Sequence, residues 1–180
     1  MYHRASGQAL QLLLPMTFSE ITQVLNDQFG IDSFSVVNQK ISQPIIQIQA
    51  NQLLELCQFL ASDERLFFDY LACITGIDNG STAHTMEVIY HLTSIPYEHN
   101  LALKVIVERP TDGLLPKVPS VSHIWRTADW HERETYDLIG IFFENHPDLR
   151  RILLPNDWDG HPLRKDYQEQ EFYHGIKVIY

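Results

Sequence analysis

The chain has 180 residues, of which 44% are hydrophobic and 20% are charged, a composition that is ordinary for a globular protein. At this length we expect one domain with an appendage, large enough to bury a sizeable core. The net charge of −10 disfavours a nucleic-acid-binding protein, which needs a basic surface, and it also disfavours direct docking onto anionic lipid.

The N-terminal residues and the cysteines narrow the class further. The apolar run from Leu10 to Leu14 is too short for a signal-peptide core or a membrane span, and no later segment reaches the length that a bilayer requires. The two cysteines, Cys57 and Cys73, are too few for a secreted disulfide framework. We therefore expect buried, reduced thiols in a cytosolic protein, with any membrane association made through a partner.

The first half of the chain predicts alternating helices and strands. Thr17-Phe-Ser-Glu20 is a capping box, and apolar residues at helical spacing follow until Gly30 closes the helix. A second helix is predicted from residue 51, and Gln43-Pro44 marks a turn before it. Strands are predicted at residues 33–37, 45–49, 66–77, 86–92 and 101–107. The order α-β-β-α-β-β-β predicts a two-layer α+β domain, with helices on one face of a mixed or antiparallel sheet.

The chain changes character after residue 108. Residues 109–119 contain two prolines around Asp112-Gly113 and predict a loop, after which Ser120 is expected to cap a short helix at about residues 120–126. Another helix is predicted over residues 129–139, ending at Gly140. We expect the core domain to cover residues 1–145. Residues 146–180 would then be an extended, partner-binding segment, called the C-terminal arm below.

The C-terminal arm has neither a helical nor a strand period, because Pro147, Pro155 and Pro162 interrupt its backbone. Apolar residues such as Leu154 and Trp158 are nevertheless spread along it, which is not typical of disorder. Apolar side chains on an irregular segment cannot build a core among themselves. They must lie on another surface, which is either the sheet of this domain or another protein.

Charged residues concentrate around the helix at residues 129–139. Residues 126–168 hold 15 of the 36 charged groups, and Arg133 has Asp129 and Asp137 one turn to either side. The aromatic and aliphatic residues of this helix project in widely different directions, so no continuous polar stripe is left to face water. We interpret the charges as paired ions enclosed at an interface, the alternative being a solvated face with weak surface pairs.

Catalytic and metal-binding motifs are incomplete. His131-Glu132 begins like the zinc-protease signature H-E-x-x-H, but Thr135 stands where the second histidine belongs. Two cysteines cannot hold an iron–sulfur cluster, and neither a glycine-rich phosphate loop nor a G-x-S-x-G elbow is present. Carboxylate pairs such as Asp157/Asp159 could do acid–base work, which leaves a stand-alone hydrolase as a weak alternative.

Residues 132–167 read ERETYDLIGIFFENHPDLRRILLPNDWDGHPLRKDY. This segment resembles the thirty-kilodalton subunit of NADH:quinone oxidoreductase, respiratory complex I, whose pattern is ERE, D, G, HPDLRRILLP and D-W-x-G-H-P-L-R-K-D-Y. The match is dense over these 36 residues, whereas upstream it is one of element order and length. His131 and Thr135 stand where an aromatic and an aliphatic residue are expected. After Tyr167, Gln-Glu-Gln-Glu replaces the proline that many members carry.

The resemblance implies a non-catalytic scaffold subunit in the peripheral arm of a proton-translocating NADH:quinone oxidoreductase. Such a subunit binds no cofactor or metal itself, while iron–sulfur clusters, FMN and quinone belong to partner subunits. The implied partners are other complex I subunits, chiefly the forty-nine-kilodalton subunit near the quinone site. The implied location is the cytoplasmic side of the inner membrane, with neither nucleic-acid binding nor direct membrane insertion. The same role in a membrane-bound hydrogenase or a ferredoxin-driven quinone reductase is the alternative.

We expect the interface to consist of charged and turn-forming positions in the matching segment. These are Glu132, Arg133, Glu134, Asp137, His146, Pro147, Arg150, Arg151, Asp157, Gly160, Arg164, Lys165 and Asp166. No catalytic, cofactor-binding or metal-binding residue is predicted.

Overall fold

The computed structural model describes residues 15–30, 33–38, 44–111 and 113–178, so the Leu10–Leu14 run, Gln43 and Asp112 lie outside the described residues. Its helices are α1 (Phe18–Phe29), α2 (Leu53–Ser62), preceded by a 3₁₀ turn (Ala50–Gln52), and α3 (Ala128–Ile139). Its strands are β1 (Ser35–Asn38), β2 (Ile45–Ile48), β3 (Tyr70–Asp78), β4 (Thr85–Ser94), β5 (His99–Glu108), β6 (Lys117–Pro119), β7 (Phe142–Glu144), β8 (Phe172–Tyr173) and β9 (Ile176–Lys177). No helix among the described residues is both long and apolar enough to cross a membrane.

The main sheet has five strands in the order β1-β2-β5-β4-β3. Neighbours that are joined by short connections pair antiparallel, namely β1 with β2, β3 with β4 and β4 with β5. In contrast, β2 pairs parallel with β5, because α2 and two strands separate them along the chain and provide the crossover that a parallel pair needs. The sheet is therefore mixed, and the α+β class is confirmed.

One face of this sheet is buried beneath helices. Along β4 every second residue from Met86 to Ser94 is buried, while the residues between them are partly exposed. The buried residues join one apolar cluster with Ile21 and Leu25 of α1 and Leu60 of α2. Each fully buried side chain of this size contributes about 1.5–3 kcal/mol of transfer free energy. Burial of the alternating apolar positions thus fixes which side of the sheet the helices cover.

The predicted start of α1 is confirmed. The Thr17 hydroxyl accepts the Glu20 N–H at 3.3 Å, and the Glu20 carboxylate accepts the Thr17 N–H at 2.7 Å. The predicted strand at residues 66–77 begins only at β3, because the backbone turns sharply after α2. Both Leu66 and Phe67 donate their N–H to the Asp63 carbonyl, and Phe67 has a φ of 39°.

Two predictions for residues 109–126 are wrong. The predicted loop at 109–119 contains β6, which pairs parallel with β7. The predicted helix at 120–126 is absent, and residues 122–124 and 126–127 form turns instead. The Ser120 hydroxyl, which was expected to cap that helix, bonds the Glu132 carboxylate at 2.6 Å. A serine that can hydrogen-bond locally favours a cap, but here a more distant carboxylate takes its hydroxyl.

Helix α3 lies across the β3 edge of the helix-covered face. Gly76 of β3 is opposite Val88 in the register, and a Cβ on Gly76 would stand 2.5 Å from Thr135 Cγ2. A glycine at this position therefore lets α3 approach the strand closely. The C-terminal arm then runs over the side of α3 that faces away from the sheet.

Candidate functional site: helix α3 and the C-terminal arm

Asp137, in the last turns of α3, is the main anchor of the C-terminal arm. Its side chain is fully buried, and Oδ2 accepts the backbone N–H groups of Ile152, Leu153 and Leu154 at 3.0, 2.8 and 3.0 Å. Its Oδ1 accepts a hydrogen bond from Arg151 Nη1 at 2.8 Å. Burial raises the pKa of this carboxyl, but the four donors together hold that pKa below its usual value.

Arg151 joins α3 to two separate parts of the C-terminal arm. Besides its bond to the Asp137 carboxylate, Nη1 donates to the Asp137 carbonyl at 3.2 Å. Its Nη2 donates to the carbonyls of Trp158 and Gly160 at 3.1 and 2.9 Å. A guanidinium presents several donors in one plane, so a single side chain holds three segments in a defined geometry.

The C-terminal end of α3 is covered by the GHPLR part of the arm. Arg164 donates from Nε to the Ile139 carbonyl at 2.7 Å and from Nη2 to the Gly140 carbonyl at 3.0 Å. His161 Nδ1 lies 2.9 Å from the Asp137 carbonyl. A cation at this end satisfies carbonyls that have no partner within the helix and complements the helix dipole.

Gly140 ends α3 in the left-handed conformation, with a φ of 77°. A Cβ there would clash with the His161 ring and lie 2.5 Å from Arg164 Nη2. The glycine is thus required twice, by its backbone conformation and by the close approach of the arm.

A second anchor ties the end of the matching segment to the sheet. Asp78, at the end of β3, is buried and accepts the Lys165 N–H at 2.9 Å. Arg109, just after β5, lies with its Nε 3.4 Å from Asp78 Oδ1 and donates from Nη2 to Asp166 Oδ1 at 2.5 Å. This hydrogen bond from Arg109 lowers the pKa of Asp166. The strand ends and the RKDY residues therefore form one ionic cluster.

The first half of α3 meets the start of the C-terminal arm. Glu132 is fully buried, and its Oε1 accepts the Val121 N–H at 2.7 Å while Oε2 accepts the Ser120 hydroxyl. The buried His146 ring places Nε2 3.2 Å from the Asp129 carbonyl. Burial raises the pKa of Glu132 to about 7, although the bonds from Ser120 and Val121 act in the opposite direction.

The predicted pairing of Arg133 is wrong in part. Its Nη1 lies 4.0 Å from Asp129, as the helical spacing indicates, but its other carboxylate neighbour is Asp148, also at 4.0 Å. Asp137 pairs with Arg151 instead, because it points toward the arm and is already satisfied by four donors. The charges of α3 are indeed enclosed, but by the C-terminal arm of the same chain.

The thirteen predicted interface residues divide into two groups. Nine are committed to contacts within the chain, namely Glu132, Arg133, Asp137, His146, Arg151, Gly160, Arg164, Lys165 and Asp166. Four are exposed positions, namely Glu134, Pro147, Arg150 and Asp157. Contact of any of these residues with a partner stays a prediction.

Sequence reasoning missed Ser120, Asp78 and Arg109, which complete these clusters. Asp78 and Lys165 are separated by 87 positions, and no motif or period relates them. It also missed the apolar side chains on the outer surface, where Trp130 is 64% exposed and Leu163 is 59% exposed. Leu163 borders a groove between β3 and α3, together with Cys73, Thr75 and Leu138. Within the described ranges, no group of three or more His, Cys, Asp or Glu side chains is arranged to hold a metal ion.

Similar proteins share both the sheet and this charged segment. The family described as "Respiratory-chain NADH dehydrogenase, 30 Kd subunit" matches residues 46–173. A subunit of the NADH-quinone oxidoreductase of Chloroherpeton thalassium is 45% identical over 160 residues, covering 88% of this chain. The subunit of the same name in Chlorobium phaeobacteroides is 42% identical over 159 residues, covering 87% of this chain. The chain spans 64% of the length of the first relative and 92% of the second.

A solved structure shares the fold at low sequence identity. A chain in the structure of the membrane-bound sulfane sulfur reductase, an archaeal respiratory membrane complex, superposes with a TM-score of 0.69 and 19% identity. The likeness covers 83% of this chain and 85% of that chain. Taken with the family match across the sheet, α3 and the C-terminal arm, the chain belongs to the family of the 30-kilodalton subunit of respiratory-chain NADH dehydrogenase.

Proposed function

We propose that this chain is a non-catalytic scaffold subunit in the peripheral arm of a complex I-type NADH:quinone oxidoreductase. It docks chiefly onto the forty-nine-kilodalton subunit near the quinone site, on the cytoplasmic side of the membrane. Flavin, iron–sulfur clusters and quinone are bound by its partners. The observation that carries this proposal is the family match over residues 46–173, which includes the α3 contacts of the C-terminal arm.

The surface of the arm layer supports a docking role. Trp130, Leu153 and Leu163 are each more than half exposed, and exposed large apolar side chains on a well-packed framework are typical of protein interfaces. The exposed charges Glu134 and Arg150 supply polar positions at the edge of such a surface. The internal ion pairs hold this surface in shape, so they contribute to docking by positioning rather than by contact.

Isolation of the native complex through an affinity tag on this chain tests the assignment. We expect the other subunits of an NADH:quinone oxidoreductase to co-purify, with quinone reductase activity in the isolated complex. Recovery with hydrogenase subunits, or with a ferredoxin-driven reductase, would replace the NADH assignment and keep the scaffold role. Recovery of a lone monomer with hydrolase activity would overturn both.

The docking surface has its own test. The double substitution Trp130→Ala and Leu163→Ala removes two exposed side chains and should lower the yield of the co-purified forty-nine-kilodalton subunit by tenfold or more, if each is worth about 1 kcal/mol at the interface. Ile176→Ala, at an exposed position of the β8–β9 hairpin, is the matched control. Equal yields from the double variant and the control would exclude this face from the interface.

A further inference from the structure

Three titratable side chains meet where the C-terminal arm begins: Asp129 and Glu132 of α3, and His146. Nε2 of the fully buried His146 ring lies 3.5 Å from Asp129 Oδ1 and 3.9 Å from Glu132 Oε2. Asp129 Oδ1 is itself buried and, among the described residues, has no hydrogen-bond partner. Two carboxyl groups therefore compete for one imidazole N–H.

The hydrogen on the ring can be assigned from its other nitrogen. His146 Nδ1 accepts the Asp148 N–H at 3.0 Å, so Nδ1 carries a lone pair and the neutral ring has its hydrogen on Nε2. A second ring proton would have to stand on Nδ1, against that N–H, and would break the first turn of the arm. The imidazole is therefore kept from serving as a full cation for the two carboxyl groups.

The remaining walls offer Glu132 no other positive charge. Arg133 turns toward Asp129 and Asp148, at 4.0 Å from each. Cys57 of α2 and Tyr90 of β4 also face this carboxyl, and burial, followed by the charge of Glu132, raises the pKa of both. The Ser120 hydroxyl and the Val121 N–H donate to the Glu132 oxygens without neutralising them. An ionised Glu132 would be a buried charge without a paired cation.

We propose that Glu132, Asp129 and His146 form a proton-linked latch that keeps the turn at residues 120–122 and the arm entry at residues 146–148 closed over α3 while Glu132 is neutral. Ionisation of Glu132 favours local opening, because opening lets water reach the charge. The segments that open are the turn and the arm entry, which are held by a few polar contacts. Opening from the other side would separate α2 and β4, which share the apolar core. The latch is a property of the single chain and does not depend on the proposed partner.

The pKa of Glu132 sets the direction and the range of the effect. It is raised by burial from 4.5 to about 7 in the closed state. The closed state therefore keeps a proton that the open state has released, and its advantage, complete below pH 4.5, is lost as the pH rises through 7. With these two values, linkage makes the opening equilibrium about tenfold larger at pH 8 than at pH 6.

Amide hydrogen exchange of the full chain, corrected for intrinsic rates, measures this equilibrium. We expect the opening equilibrium at residues 120–122 and 146–148 to increase about tenfold from pH 6 to pH 8, whereas β4 amides stay unchanged. Glu132→Gln, which has no ionisable group, should make these segments independent of pH. Glu134→Gln, the same change at an exposed position of α3, should behave like the wild type. A flat wild-type profile, or a Glu132→Gln variant that keeps the slope, would overturn the proposal.

A measurement on the unmodified chain covers the case in which Glu132→Gln does not fold. The ¹³C shift of the Glu132 carboxyl should titrate with a midpoint near 7, and His146 should remain the neutral Nε2–H tautomer while the arm entry is protected. A carboxyl midpoint near the ordinary 4.5 would rule out the latch.

Discussion

The sheet with α1 and α2 is held together differently from the C-terminal arm on α3. In the first region the contacts are apolar and repeated, since every second residue of β4 is buried against the helices. In the second region an irregular backbone is held by a few charged groups, chiefly Asp137, Arg151 and Arg164, which bond carbonyls and N–H groups. One region spreads its stability over many side chains, and the other concentrates it in three.

This difference determines how each region responds to substitution. Removing one apolar side chain costs its own burial and the cavity that it leaves, while its neighbours keep their contacts. Removing Asp137 leaves three N–H groups and a guanidinium without their acceptor at once. We therefore expect local, steep losses in the arm and global, graded losses in the sheet.

The largest expected effect is that of Asp137→Ala. Breaking a buried pair and its hydrogen bonds should reduce the free energy that keeps the arm closed by about 3–5 kcal/mol. Limited proteolysis should then cut residues 146–178 much faster, with the circular dichroism of the sheet retained. The matched control is Asp157→Ala, whose carboxylate is exposed and bonds Tyr173 and His174. Equal cleavage rates in the two variants would show that Asp137 does not anchor the arm.

Next is Leu103→Ala, in the centre of β5, where the side chain is fully buried. The cavity should lower the global free energy of unfolding by about 2–5 kcal/mol, as measured by urea denaturation. Leu153→Ala, at a 59%-exposed position of the arm, should change it by less than about 0.5 kcal/mol. A larger loss from Leu153→Ala than from Leu103→Ala would invert the comparison between the two regions.

Gly140→Ala tests the close approach of the arm to the end of α3. At Gly113, with a φ of 83° and nothing within 4 Å of a Cβ, alanine should cost only the left-handed conformation, about 1 kcal/mol. At Gly140 the clash with His161 and Arg164 should add about 1–3 kcal/mol, seen as faster cleavage of the arm and a lower melting temperature. Similar melting temperatures for the two alanine variants would show that the arm yields without cost.

The smallest effect is expected for Arg133→Ala. Its nearest carboxylate oxygens are 4.0 Å away, on Asp129 and Asp148, whose side chains are 37% and 52% exposed. Its removal should therefore cost less than about 1 kcal/mol. The control is Arg151→Ala, which removes a 2.8 Å pair with fully buried Asp137 and should cost several times more. Comparable unfolding free energies for the two variants would contradict the assignment of the arm contacts to Arg151.

Predictions from the chain were accurate where contacts are local or periodic. The capping box of α1 involves residues three apart, and the helix predicted at 129–139 begins one residue earlier in the structure. They failed at Ser120, whose cap-forming hydroxyl bonds a carboxylate twelve positions away. They also missed the β6–β7 pair, because three-residue strands are too short to show alternation.

The amino-acid sequence by itself determined the α+β class, the family and the irregular, charge-rich character of the C-terminal arm. Those properties reside in periodicity, capping residues, prolines and a dense motif, all of which are read along the chain. Only the tertiary structure decided the partners of the charges: Asp137 pairs with Arg151 rather than with Arg133, and Asp78 receives the Lys165 N–H. The physical reason is that helical spacing specifies neighbours one turn apart, whereas these partners meet only after the chain reverses beyond Gly140 and lays the arm back over α3.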